Sequence, residues 1–392
     1  MTHFVGGNQI ELLRNGEEYF PALELAIKEA KHDIHLQVYI YQADVIGHRI
    51  AIALKNAANR GINVNVLLDG FGCKYLSRTF VEGLKQAGVQ VMFYSPNISP
   101  WTLKKRRLRR LHHKIVVIDE QVGFVGGINI IDDYDVPNSE PPRIDYAVRI
   151  EGTLLPALYS IAQKLWHRIA WLHFKSMNEV PVKSAMHTEQ HLNNHLQHNN
   201  GIKAALVLRD NVLHRHDIEN AYLEAISHAK SEIIIANAYF VPGRKFRLAL
   251  LDAANRGVKV KLLLQGRLEY FIMFATHAFY SEFLKNGIEI YEYRKSFMHS
   301  KVAVIDRHWA TVGSSNIDPF SLLLARETNV FVKDTAFATE LQSDIETVIQ
   351  DGADLIKTEH WAQSNIFKRF SSWIAYGLVR FFLGVIGHSI EK

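Results

Sequence analysis

The sequence predicts an α/β fold made of two fused halves, each a mostly parallel mixed sheet flanked by helices. Three observations carry this. Short apolar, strand-like runs alternate with stretches of helical periodicity. The stretch from Ala57 to Gly70 returns, with few changes, as Ala253 to Gly266. A pattern His-x-Lys-x4-Asp occurs at His112–Asp119 and again at His299–Asp306. A long-period repeat of this kind outranks any local reading, because it says the chain is an internal duplication. At 392 residues the chain is long enough for two such halves.

Taken in order, residues 18–31 place Leu23, Ala26, Ile27 and Ala30 on one helical face. Ile34 to Tyr41 alternates as a strand. Arg49 to Asn59 reads as a second helix closed by Gly61, and Ile62 to Asp69 as the next strand. Helices alternating with strands imply parallel pairing, with helices on both faces of the sheet. Leu84 to Tyr94 is matched more loosely by Leu284 to Tyr293. After each motif a further strand carries an acid near its start, Asp145 within Arg143 to Glu151 and Glu327 within Glu327 to Val332. The expected divisions are a first half at 1–175, a polar linker at 176–203, a second half at 204–356 and a C-terminal segment at 357–392. The linker is rich in His, Asn, Gln and Ser. Its His191 and His195 are four apart, but no Cys or acidic cluster stands near them, so it reads as solvated chain and no metal is expected.

Composition narrows the class. It is ordinary for a soluble α/β protein. The single Cys73 excludes an internal disulfide framework and fits a reducing compartment. The first residues show no signal-peptide pattern, and no run is long and apolar enough to read as a membrane span. The net charge is +5, and Lys104, Lys105, Arg106, Arg107, Arg109 and Arg110 alone exceed it. Attraction to polyanions is therefore focused just ahead of the first motif, and is not spread over the surface. From Ala57 to His112 is 55 residues and from Ala253 to His299 is 46, so the basic run falls in an insertion on the scaffold. The tail, Phe367 to Ile386, mixes aromatic, apolar and basic residues in a way that suits a membrane interface.

The motifs carry the chemistry. Ile, Val and Ala fill the gap between Lys and Asp in each, as in a buried strand. Residues two apart on a strand share a face, so His112 lies beside Lys114 and His299 beside Lys301, while His113 points the other way. Burying a His and a Lys is costly, and doing so twice at one spacing is a poor way to build a core. Asp119 and Asp306 complete the motifs and count with the catalytic set. Each falls at a strand end, where it can anchor its own lysine or the turn. Asn129 and Asn316 follow each motif, and Gly126-Gly127 stands where the second copy has Ser314-Ser315.

This paired pattern resembles the phospholipase D superfamily. Leu13 to Glu18, Asp145 to Arg149, Ile235 to Phe240 and Val312 to Pro319 are similar to the short bacterial cardiolipin synthases that lack N-terminal membrane spans. The likeness runs from about residue 8 to 335. It implies phospholipase D-like halves related by pseudo-twofold symmetry, with a histidine from each at one site. Two histidines suit a two-step displacement at phosphorus, one imidazole becoming phosphorylated and the other moving the protons. Family precedent gives His112 the nucleophile role and His299 the acid/base role. Lys114 and Lys301, with Asn129, Ser314 and Asn316, are expected to bind the phosphate oxygens. The two lysines supply the positive charge, so neither a metal nor another cofactor is expected. In the resembling family, downstream acids orient the imidazoles. Asp145 and Glu327 are those acids here, and the sequence leaves open which serves which ring.

The favoured function is phosphatidyl transfer, giving cardiolipin and glycerol from two phosphatidylglycerol molecules. The expected partners are an anionic phospholipid membrane, phosphatidylglycerol and a second lipid or polyol acceptor. The expected location is peripheral, on the cytoplasmic side of the bacterial inner membrane. A phospholipase D-type phosphodiesterase or nuclease is the alternative. Its basic run lacks the interleaved aromatics used for base stacking, with only Trp101 nearby. A lipid-binding scaffold without chemistry is disfavoured by two intact motifs.

Overall fold

A computed structural model describes residues 2–96, 109–136, 142–177, 201–210, 214–267, 275–318, 325–357 and 377. The first half contributes β1 (Val5–Arg14), β2 (Asp33–Val38), β3 (Asn63–Asp69), β4 (Gln90–Tyr94), β5 (Arg110–Leu111), β6 (Lys114–Ile118), β7 (Val122–Gly126) and β8 (Tyr146–Gly152). The second contributes β9 (Ile202–Arg209), β10 (Glu232–Asn237), β11 (Lys259–Gln265), β12 (Glu289–Tyr293), β13 (Lys301–Ile305), β14 (Trp309–Gly313), β15 (Ala325–Lys333) and β16 (Ala353–Leu355). They join in one sheet of order β16-β12-β11-β10-β13-β14-β15-β9-β1-β8-β7-β6-β2-β3-β4, with β5 paired to β15. Apart from β16, that order reads the same from either end, with the pseudo-twofold axis between β9 and β1.

The sheet is mixed; along the main order its parallel pairs are those of β2-β3-β4 and β10-β11-β12, and the short β5 pairs parallel to β15. The motif strands pair antiparallel to their neighbours on both sides. The reason is the turn that follows each motif. Asp119 and Glu120, like Asp306 and Arg307, all have φ between 50° and 54°. Two consecutive left-handed residues make the tight hairpin turn that suits strand twist, so β6 folds straight back as β7 and β13 as β14.

Helices cover both faces. On one side lie α1 (Asn15–Glu29), α2 (Val45–Asn59) and α3 (Arg78–Gln86), then α5 (Asp217–His228), α6 (Arg244–Asn255) and α7 (Tyr280–Lys285), each set over its own half's core. On the other side α4 (Leu155–Met177) and α8 (Thr335–Gly352) cover a single core that draws Val117 and Val304 from both halves. Helix α2 begins four residues before the sequence suggested, because the Asp44 carboxylate accepts from Gly47 N (2.8 Å) and caps it. Most of the polar linker (178–200), residues 104–108 of the basic run and all of the tail except Gly377 lie outside the described residues. Among the described residues, no helix is long and apolar enough to cross a membrane.

Candidate active site

β6 and β13 begin at the motif lysines, so His112 and His299 sit just before them, at the end of the sheet where the halves meet. Each histidine is tied to the opposite half by its backbone. His112 N and His113 N donate to Arg326 O (3.1 and 2.8 Å), and His299 N donates to Ile144 O (2.7 Å). Arg326 precedes Glu327, and Ile144 precedes Asp145. The acids are thereby delivered crosswise. His112 Nδ1 lies 2.9 and 3.0 Å from the two Glu327 oxygens, and His299 Nδ1 lies 2.7 Å from Asp145 Oδ2. The question the sequence left open has this answer: each half's acid serves the other half's imidazole.

An ionised carboxylate can only accept a hydrogen bond. Each Nδ1 therefore carries the proton, and each Nε2 presents a lone pair. Both acids are held below the ordinary carboxylate range. Burial pushes Asp145 up, but Lys301 and His299 outweigh it; for Glu327 the opposing groups are His112, Lys114 and the Ser314 hydroxyl. Burial, aided by Lys301, lowers His299 to about 3. Burial also lowers His112, opposed by Glu327. Both rings are thus neutral at pH 7, and their side chains stay 14% and 13% exposed, enough for a substrate to reach.

The lysines fold back onto their own histidines. Lys114 Nζ donates to His112 O at 2.6 Å, and Lys301 Nζ donates to His299 O. Burial lowers Lys114 to about 7 and Lys301 to about 8, and the Lys301 charge further depresses Lys114. Each lysine also depresses the other half's histidine, which places all four in one cluster. Its walls are aromatic: the Tyr39 ring centroid is 4.7 Å from that of His112, and Phe297 stacks on His299 at 6.2 Å. Asn129 Oδ1 accepts from Ile40 N (3.0 Å), which leaves its NH2 group as the donor for a ligand. Asn316 is buried at the matching place.

Three sequence expectations need correction. Asp119 and Asp306 do not touch the histidines or lysines. Each sits five residues past its lysine at the far end of the strand, where its left-handed backbone turns the hairpin. The Asp119 carboxylate accepts from Lys31, His32 and Asp33 N (2.7–2.8 Å), and Asp306 accepts from Lys230, Ser231 and Glu232 N. They brace the fold by tying each hairpin turn to the start of the neighbouring strand, β2 or β10. Ser314 was counted with the phosphate-binding groups, but its hydroxyl donates to Glu327 Oε2 (2.5 Å) and accepts from Thr328 N (3.1 Å), so it is spent on positioning the acid. Register also aligns Gly126 with Gly313, since they oppose Lys114 and, by continuation of its ladder, Lys301. Gly127 therefore answers to Ser314. A Cβ at Gly127 would collide with the Asp145 carboxylate. One half seats a shorter acid against a glycine, and the other a longer acid against a serine.

Sequence reasoning missed the support behind His113. Its Nε2 meets Gln37 Oε1 at 2.9 Å, Gln37 Nε2 donates to Ala162 O (2.7 Å), and Thr328 Oγ1 lies 3.4 Å from Nδ1. Burial holds this ring neutral. It faces away from the site, and it locks the backbone that carries His112. The one hint in the sequence was the rarity of two adjacent histidines in a buried run.

Two halves about a pseudo-twofold axis, sharing a site of two histidines, two lysines and two crossed acids, define a phospholipase D-type enzyme. The chain matches the family described as cardiolipin synthase, PLD-like domain, over residues 23–141 and 222–349. It belongs to that family. Cardiolipin synthase B of Escherichia coli (strain K12) is 37% identical, across 97% of this chain and 90% of its own length. A probable cardiolipin synthase of Bacillus subtilis is 32% identical, across 89% of this chain and 67% of its own. The fold is shared with phosphatidylserine synthase of Haemophilus influenzae, which matches all of this chain and 96% of its own at a TM-score of 0.68 and 14% identity.

Proposed function

We propose that the chain forms cardiolipin and glycerol from two phosphatidylglycerol molecules through a phosphohistidine. The observation that carries this is the pair of bare Nε2 atoms, each fixed in its tautomer by the opposite half's acid, in one cluster with two lysines. His112 Nε2 attacks the phosphorus of the first phosphatidylglycerol, and the bond to its glycerol headgroup breaks. His299, which takes up a proton on Nε2 from solvent as the phosphodiester binds, gives it to that alkoxide. The bound phosphodiester offsets the lysines that depress His299, and so lets it hold that proton. The hydroxyl of a second phosphatidylglycerol then loses its proton to His299 and attacks the phosphohistidine. Lys114, Lys301, Asn129 and Asn316 hold the non-bridging oxygens as charge develops. The relatives named as cardiolipin synthases support this choice of donor and acceptor. On this reading the enzyme works peripherally, on the cytoplasmic face of a bacterial inner membrane.

Thin-layer analysis of labelled phosphatidylglycerol, run beside a plasmid-nicking assay, tests the reading. Cardiolipin and glycerol in equal amounts support it. Phosphatidic acid alone makes the chain a phosphodiesterase, and nicked plasmid makes it a nuclease. Because two ammonium groups supply the positive charge, turnover is expected to survive EDTA; activity lost on chelation and restored only by a divalent ion overturns that.

The lysines also set a pH dependence. Their charged forms bind phosphate, and both lose the proton at lowered values, about 7 and about 8. The kcat/KM for phosphatidylglycerol is therefore expected to fall as pH rises through that window, since kcat/KM reports the free enzyme. Lys114→Arg keeps its charge there and should move the alkaline limb upward. A profile flat to pH 9.5, about 1.5 units above that window, contradicts the assignment.

A further inference from the structure

The loop after β3 presents an aromatic and basic tip. Tyr75 is 87% exposed and Phe71 39%. The Lys74 ammonium lies over both rings, 4.8 Å from the Phe71 centroid and 4.6 Å from that of Tyr75, and the Arg110 guanidinium lies 5.0 Å from Phe71. From Gly70 to Arg78 the only charged side chains are Lys74 and Arg78, both exposed and both positive.

The tip is held firmly. Phe71 N and Gly72 N donate to Asp69 Oδ1 (2.8 and 3.0 Å), while Asp69 Oδ2 accepts from Leu111 N (2.7 Å), one residue before His112. A Cβ at Gly72 would strike the Tyr39 carbonyl, and the Tyr39 ring packs on His112. The tip is therefore joined to the catalytic histidine by short, built contacts.

We propose that Phe71 and Tyr75 insert into an anionic lipid bilayer while Lys74, Arg78 and Arg110 meet its headgroups, setting the active-site mouth on the membrane. This rests on the lipid-phosphodiester reading of the site. Aromatic rings favour the headgroup level of a bilayer, and basic side chains beside them meet anionic headgroups. A nucleic acid is the weaker fit. Base stacking needs open ring faces, and cations already cover faces of both rings.

The test uses the full chain with an environment-sensitive fluorophore on Tyr75→Cys. The sole native thiol, Cys73, is buried and pushed up to about 12, which keeps it unreactive. Lys31→Cys, before β2 at the far end of the sheet, carries the same label as a control. Phosphatidylglycerol vesicles are expected to shift the probe at 75 to the blue and leave the probe at 31 unchanged. Phe71→Ser/Tyr75→Ser is expected to weaken vesicle sedimentation about tenfold. Replacing Lys74 and Arg78 by Gln should weaken it about fivefold per charge at low salt.

A water-like probe at 75 on sedimented protein overturns the proposal. So does a double-serine variant that sediments like the native chain, or a shift produced by a single-stranded oligonucleotide and not by vesicles. Turnover of phosphatidylglycerol by the native chain is scored separately. Docking without turnover would leave this surface standing and remove the proposed chemistry; turnover without docking would do the reverse.

Discussion

His112→Ala is expected to abolish turnover, by about 10⁶-fold in kcat, and to leave no phosphorylated protein. His299→Ala should be equally dead on phosphatidylglycerol, since glycerol is a poor leaving group without a proton. It should still become phosphorylated by a substrate whose leaving group needs no acid, such as a nitrophenyl phosphodiester, and then stall. The measurement is a rapid quench followed by mapping of the acid-labile phosphate. Phosphate on His299, in the His112 variant, reverses the roles. The geometry makes both outcomes legible, because both Nε2 atoms are bare and only the order of events separates them.

The crossed acids give the second large effect. Glu327→Gln and Asp145→Asn replace an acceptor with a group that also donates, so Nδ1 is no longer held protonated. Each is expected to lower kcat by about 10²–10⁴-fold. The losses should fall on different steps. Glu327→Gln impairs the nucleophile in the other half, so even an activated substrate phosphorylates His112 slowly. Asp145→Asn impairs His299, so an activated substrate gives a burst of phosphorylation at near-native rate and a slow second step. Pre-steady-state kinetics on the two variants separates these. With the phosphate mapped to His112, the opposite assignment of burst and slow onset would mean that each acid serves its own half.

Much of this was legible in the sequence, and the reason lies in the duplication. The same-face placement of His112 with Lys114, and of His299 with Lys301, followed from strand period alone, and the repeat supplied the symmetry. What was not legible was everything that depends on contact across the axis. Asp145 lies 33 residues after His112 and Glu327 lies 28 after His299. Sequence distance left open which acid serves which ring; β5 and the Ile144–Met298 bridge carry each acid to the far histidine. Asp119 and Asp306 were misread for a related reason. A motif is continuous in sequence, but a strand of five residues separates its two ends by about 16 Å, beyond any side chain's reach. Ser314 looked like a phosphate ligand because a hydroxyl at that spacing can be one; only the position of Glu327 shows it already engaged.

The crossed delivery of the acids bears on how such a chain can change over generations. Neither half holds a complete set of reacting and orienting groups, so neither has an activity that selection could keep by itself. A single half has to meet a second copy before it owns an active site, and fusing the two copies removes the search for that companion. Fusion also frees the copies to diverge, but only in matched blocks. Asp145 can replace the longer acid only where position 127 is glycine, and Glu327 keeps its serine. Each acid is matched to a seat in its own copy, while the imidazole it serves stands in the other.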